Sequence, residues 1–201
     1  RDLRHLYHAA QLGHESFDQA LPRSLVLVSS DDLASSLTYL QGVENRRPDV
    51  TVIVKQHLSD PLSLRHAQQR SGTVHVSDDL VAKADAGALP TEMLEQIVDD
   101  NSSFPTLYEL GDSRLDSRIT DKIRLDLPLS RLYGAPTHNL TSRTYFYRMH
   151  WRAIAGARWP TIALYTLSRR YSGLGLRLWG AGDERFGFSL INEACALAPT
   201  E

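Results

Sequence analysis

Ser24–Val54, SLVLVSSDDLASSLTYLQGVENRRPDVTVIV, decides the fold. Leu25 to Val28 is an unbroken apolar run, the pattern of a strand covered on both faces. Asp31 or Asp32 can cap the helix that follows, and Leu33, Leu37, Leu40 and Val43 recur at the helical period along its buried side. Pro48 cannot continue that helix and pushes Arg47 toward an extended backbone, so Asn45 to Asp49 is the stop. Val50 to Val54 is then a second strand, parallel to the first and joined to it by a right-handed crossover. The acidic turn Ser29-Ser30-Asp31-Asp32 falls at the carboxyl end of the first strand, where open α/β sheets place their binding crevice.

Outward from this unit the cycle continues in both directions. Residues 3 to 20 carry a helical pattern that ends at Leu21-Pro22. Ser59-Asp60-Pro61 opens a third helix running through Gln69, Ser71-Gly72 closes it, and Thr73 to Val76 alternates as a short strand. Ser77 to Ala88 is polar and rich in small residues, which predicts a loop, and Leu89-Pro90-Thr91-Glu92 starts a helix to about Asp99. Phe104 to Leu110 is a further strand. Residues 119 to 133 predict an edge strand or hairpin, because Pro128 removes a ladder donor that only an edge can spare.

Gly134-Ala135-Pro136 marks the boundary between two domains, 1–136 and 137–201. Beyond it the strand signal stops, and helices are expected over 141–157, 160–179 and 183–197. Tyr171, Leu174-Gly175, Leu178, Gly182-Asp183, Gly187, Ile191, Ala194, Leu197 and Pro199 match the tetratricopeptide pattern of large, Leu-Gly, small and Pro positions. Gly175, Gly187 and Ala194 would let two antiparallel helices approach closely. The alternative is an ordinary helical hairpin. The fold class expected is therefore a parallel-sheet α/β domain with flanking helices, followed by an all-α tetratricopeptide-like tail.

The 201 residues carry a formal charge of −2, and the only adjacent basic pairs are Arg46-Arg47 and Arg169-Arg170, which argues against a nucleic-acid partner. The single cysteine, Cys195, excludes an internal disulfide and a cysteine-based zinc site. No run approaches the ~18 apolar residues of a membrane span. Opening at Arg1 without methionine, the sequence reads as an excised soluble piece of something longer.

Asp31-Asp32 concentrates negative charge that a cation or a proton would relieve, and His57, ending the second strand, would sit near the same crevice as base or ligand. The competing reading makes the acidic pair a helix cap and dipole partner. A receiver domain is rejected, since Lys55, Gln56 and His57 stand where an acceptor aspartate would be needed. Neither a G-x-x-x-x-G-K loop, a strand-linked G-x-G-x-x-G nor a G-x-S-x-G elbow is present, and the histidines lack a ligand spacing, so no cofactor and no metal are assigned. Tyr145, Phe146, Tyr147, Trp151 and Trp159 form an aromatic cluster expected to pack the tail onto the α/β domain, with binding of a sugar or a membrane surface as the alternative. Asn101-Ser102-Ser103 and Asn139-Leu140-Thr141 match the N-glycosylation sequon.

Leu21-Pro22, Asp31-Asp32, Tyr39-Leu40-Gln41 and Arg47-Pro48-Asp49-Val50 together resemble the soluble C-terminal region of a family of multi-spanning membrane proteins related to protein O-mannosyltransferases. Phe104-Pro105-Thr106-Leu107-Tyr108 and Leu129 to Tyr133 look like that family's later strands, and Ser30 stands where it often has glycine. The resemblance implies a glycosyltransferase that uses a lipid-linked sugar donor and keeps its catalytic apparatus in membrane helices outside these residues. It implies an accessory domain here, periplasmic, extracellular or lumenal, that positions an acceptor or binds a protein, with the membrane-embedded part of the same chain as its partner. Tyr39, Gln41, Arg47 and Asp49 then join Asp31, Asp32 and His57 as candidate ligand contacts, with no catalytic residue in the domain. Two alternatives stand beside this: a free-standing ligand- or metal-binding α/β enzyme using Asp31, Asp32 and His57, and a tetratricopeptide scaffold.

Overall fold

A computed structural model describes residues 7–70, 74–109, 113–119, 122–124 and 129–132, and in the tail 172–173, 175–176, 179–180 and 184–197. The chain divides into two compact units, His8–Arg143 and a second made of Arg1–Tyr7 with Thr144–Glu201.

In the larger unit the elements run α1 (Tyr7–Gln19), β1 (Leu25–Val28), α2 (Asp31–Gly42), β2 (Thr51–Val54), a short 3-10 helix (Lys55–Ser59), α3 (Pro61–Arg70), α4 (Asp78–Asp85), α5 (Pro90–Asp100), β3 (Thr106–Tyr108), α6 (Ser113–Asp116), β4 (Ile123–Arg124) and β5 (Ser130–Leu132). The five strands form one sheet in the order β2-β1-β3-β5-β4. β1 pairs in parallel with β2, Leu25 opposite Thr51, and with β3, Leu25 opposite Thr106. β5 then pairs antiparallel with β3, Thr106 opposite Leu132, and β4 closes the edge antiparallel to β5. The sheet is therefore mixed rather than wholly parallel. A parallel return needs a helical crossover of a dozen or more residues, whereas β4 and β5 pair antiparallel within the 119–133 stretch expected to hold an edge strand or hairpin.

β1 is buried on both faces. On one side Val26, Val28 and Leu107 pack against Phe17 of α1 and Leu33, Leu37 and Leu40 of α2. On the other, Leu25, Leu27, Ile53 and Tyr108 pack against Leu64, Leu80, Leu94 and Ile97 from α3, α4 and α5. Strand order explains this division. The chain moves from β1 to β2 in one direction and from β2 to β3 in the other, so crossovers of one hand must lie on opposite faces.

Four local expectations need correction. Ser30, not Asp31 or Asp32, caps α2, its Oγ accepting from Leu33 N at 3.4 Å, and the two aspartates occupy the first turn. Val43 is 68% exposed because the helix has already ended when its period would bury it. The alternation at Thr73 to Val76 buries Val74 and Val76 but forms no described strand: the His75 N–H and C=O bond to the Asn101 side chain, which takes the place of a neighbouring strand. The loop expected at 77–88 is mostly helix α4. Its Ser77 cap accepts from Leu80 N at 3.3 Å, and Leu80, Val81 and Ala84 are buried.

In the tail, α7 (Glu184–Leu197) buries Leu190 and Ala194 and meets the helical positions around Gly175 and Trp179. A Cβ on Gly175 would lie 2.7 Å from Gly187 O and 2.8 Å from Ile191 Cγ1, and one on Gly187 would lie 2.6 Å from Gly175 O. The two segments pass at backbone contact, as the small residues require. Trp179 and Phe188 meet edge to face at 6.0 Å. The expected helices at 141–157 and most of 160–179, the aromatic cluster of 145–159 and the 134–136 boundary lie outside the described residues.

Candidate functional site

The three parallel strands end on polar residues at the same edge of the sheet: Val28 leads into Ser29-Ser30, Val54 into Lys55 and Tyr108 into Glu109. The crevice between β1 and β3 is the switch point, since the chain leaves β1 in one direction and returns past it in the other.

Glu109 fills that crevice. Its backbone N–H continues the ladder to Leu27 O at 2.8 Å, and its carboxylate turns back over the start of α2. Oε2 accepts from Ser29 N at 2.7 Å and Ser30 N at 2.9 Å, and Oε1 accepts from Ser30 Oγ at 2.7 Å. Ser30 is the cap of α2 and Ser29 precedes it, so these N–H groups stand just ahead of the first turn, a position that attracts anions. Here the anion is a side chain of the protein, 5% exposed.

Lys55 is fully buried. Its Nζ donates to Glu109 O at 2.6 Å and lies 3.7 Å from the centroid of the Tyr108 ring, itself fully buried. A buried ammonium is tolerable only with such compensation from carbonyl and ring face. Ser29 Oγ, also buried, makes no hydrogen bond among the described residues.

The seven candidates from sequence separate to the two ends of the sheet. Asp31 and Asp32, exposed in the first turn of α2, and His57, exposed in the 3-10 helix, lie at the carboxyl edge. Among the described residues no three His, Cys, Asp or Glu side chains converge as metal ligands. The other four lie toward the opposite edge, because α2 runs back along the strands and its end meets the start of β2.

There Gln41 Nε2 donates to Arg47 O at 2.9 Å and Val50 O at 2.7 Å, which folds the turn between α2 and β2 onto the helix. The Arg47 guanidinium reaches the end of α1, donating to Phe17 O, to Ala20 O at 2.7 Å and to Leu21 O at 2.9 Å. It also forks onto Asp49, Nε to Oδ1 at 2.9 Å and NH2 to Oδ2 at 3.1 Å. Asp49 Oδ2 accepts a further bond from Arg23 N at 3.0 Å. The bonds from Arg47 hold the Asp49 carboxyl down to about 2, against its ordinary value of 3.8. Tyr39 is 55% exposed on α2.

Arg47 is not extended, as Pro48 alone would make it, but has φ +51°. Its contacts with the Phe17, Ala20 and Leu21 carbonyls and with Asp49 outweigh a local preference of about 1–2 kcal/mol.

Sequence reasoning missed Glu109 and the role of Lys55. A signal existed: each parallel strand is an apolar run followed at once by a polar or charged residue, and three such ends in a parallel sheet meet. Comparison with family models, with curated proteins and with solved structures gives no match.

Proposed function

We propose that this chain is an extracytoplasmic, non-catalytic accessory domain of an integral-membrane glycosyltransferase of the protein O-mannosyltransferase-like kind, positioning an acceptor or binding a protein. The observation that carries the non-catalytic reading is the Glu109 carboxylate on the Ser29 and Ser30 amides. An α/β enzyme that handles phosphate uses those amides for its substrate. In this chain they are already spent on an internal anion.

The motif residues support the same reading. Gln41, Arg47 and Asp49 bond to the backbone of the α1–β1 segment and of the α2–β2 turn, so a signature there specifies this domain's architecture rather than a reaction. The tail contributes a tetratricopeptide-like helical pair, supported by the Gly175–Gly187 approach at the repeat's small positions.

The test is sugar transfer from a polyprenyl-phosphate-linked donor to an acceptor peptide, measured for the purified 201 residues and for membranes carrying the full-length parent. Transfer is expected only from the membranes. Turnover by the purified chain sinks the proposal.

A further inference from the structure

Asn101 opens the sequon Asn101-Ser102-Ser103, a pattern that in a glycosylated protein marks an exposed loop. In this fold the asparagine is fully buried at the end of α5. Its Oδ1 accepts from His75 N at 2.7 Å, and its Nδ2 donates to His75 O and to Ile97 O, both at 2.8 Å. One carboxamide thus pins the extended 74–76 segment, with buried Val74 and Val76, against α5.

We infer that Asn101 is a structural pin whose modification this fold excludes: a chain that carries a glycan there cannot reach this packing. Attachment of a glycan turns the Nδ2 amide from two N–H donors into one, leaving His75 O or Ile97 O without its partner. The sugar must also leave through a position with no solvent exposure, which pushes the 74–76 segment away from α5. In a glycosylating lumen the modification reaches the chain before this packing forms. The inference goes beyond the accessory-domain proposal and holds whatever the domain binds.

The experiment places the chain behind a eukaryotic signal peptide in a translation reaction with microsomes, with Thr141→Ala in every version so that only the first sequon is read. Ser103 is exposed, and Ser103→Ala removes the sequon while keeping Asn101, whereas Ser103→Thr makes it a better acceptor. Glycosidase-sensitive and unmodified bands from one reaction are compared by limited proteolysis. The glycosylated band is expected to be digested at least tenfold faster than the unmodified one, with Ser103→Thr raising the digested fraction and Ser103→Ala abolishing it. Equal protease resistance of the two bands overturns the inference, as does a parent chain left unglycosylated. So does a Ser103→Ala chain that is digested as fast as the glycosylated one, because the glycan is then not what prevents folding.

Discussion

Replacing Glu109 by alanine removes the acceptor of three hydrogen bonds and strands two backbone N–H groups at the start of α2. Bonds to a charged group contribute about 1.5–3 kcal/mol each, but water entering the space left by the side chain recovers part of this. The loss of an anion at a partly buried helix N-terminus adds about 1 kcal/mol. We expect Glu109→Ala to destabilise the α/β unit by about 3–4 kcal/mol. Glu109→Gln keeps the shape and one carbonyl acceptor and should lose about 1–2 kcal/mol. With a urea slope of about 2 kcal/mol/M, the midpoint read by far-ultraviolet circular dichroism falls by about 1.5–2 M for alanine and about 0.5–1 M for glutamine. Hydrogen exchange supplies a local readout, because the Ser29 and Ser30 amides should lose protection in the alanine variant before the rest of β1 and α2. An alanine variant within about 1 kcal/mol of the parent refutes the reasoning, since the carboxylate would then not be satisfying those amides.

Arg47→Met removes the donors to Phe17 O, Ala20 O and Leu21 O and should cost about 2–3 kcal/mol in urea unfolding, with the last turn of α1 exchanging first. Gly187→Ala places a Cβ 2.6 Å from the Gly175 carbonyl and forces backbone apart, so exchange protection over 184–197 should fall by about 2 kcal/mol while that of β1 and β2 is unchanged. Acid should expose the Asp49 contact. Its folded value of about 2 lies below the ordinary 3.8, so its contribution is complete above about pH 4 and disappears as the pH falls through about 2. The Asp49 side chain is 37% exposed and screened, which reduces the effect to about 1 kcal/mol. Between pH 5 and pH 2 the parent should therefore lose about 1 kcal/mol more than Asp49→Asn, measured by urea titration at each pH, and equal losses count against the Arg47–Asp49 fork.

What was legible in the sequence followed from patterns with a local cause. The apolar run at Leu25–Val28 and the helical spacing at Leu33, Leu37 and Leu40 are set by burial, and both are buried as read. The antiparallel pair β4 and β5 falls within 119–133, where an edge strand or hairpin was expected. What was not legible depended on partners distant in sequence. The period of Val74 and Val76 is that of a strand, yet its backbone partner is a side chain 26 residues away. Arg47 sits at a positive φ against the bias of Pro48 because its contacts lie up to 30 residues back. The α4 helix was hidden by small residues, although Ser77 and the Leu80, Val81 and Ala84 spacing were its cap and its face. The candidate site divides in the same way. Asp31 and Asp32 were visible as charge, whereas Glu109, 79 residues after Ser30, could be joined to the crevice only by the parallel pairing of β1 with β3.

That pairing bears on which part of a glycosyltransferase could handle a phosphate-linked donor. A phosphate approaching the start of α2 would meet the Glu109 carboxylate on the amides, and Asp31 and Asp32 within the same helical turn. Like charges about 6 Å apart repel by about 2–3 kcal/mol at an effective dielectric near 20, and exposure of the two aspartates halves their share. A helix N-terminus returns only about 0.3–1 kcal/mol to an exposed anion. The Lys55 ammonium, its Nζ 2.6 Å from Glu109 O, carries the opposite charge and offsets the Glu109 share, so the repulsion that remains is that of the exposed Asp31 and Asp32. The acidic first turn of α2 thus disfavours the charged half of such a donor. Under the accessory-domain proposal the phosphate would be held by the membrane part.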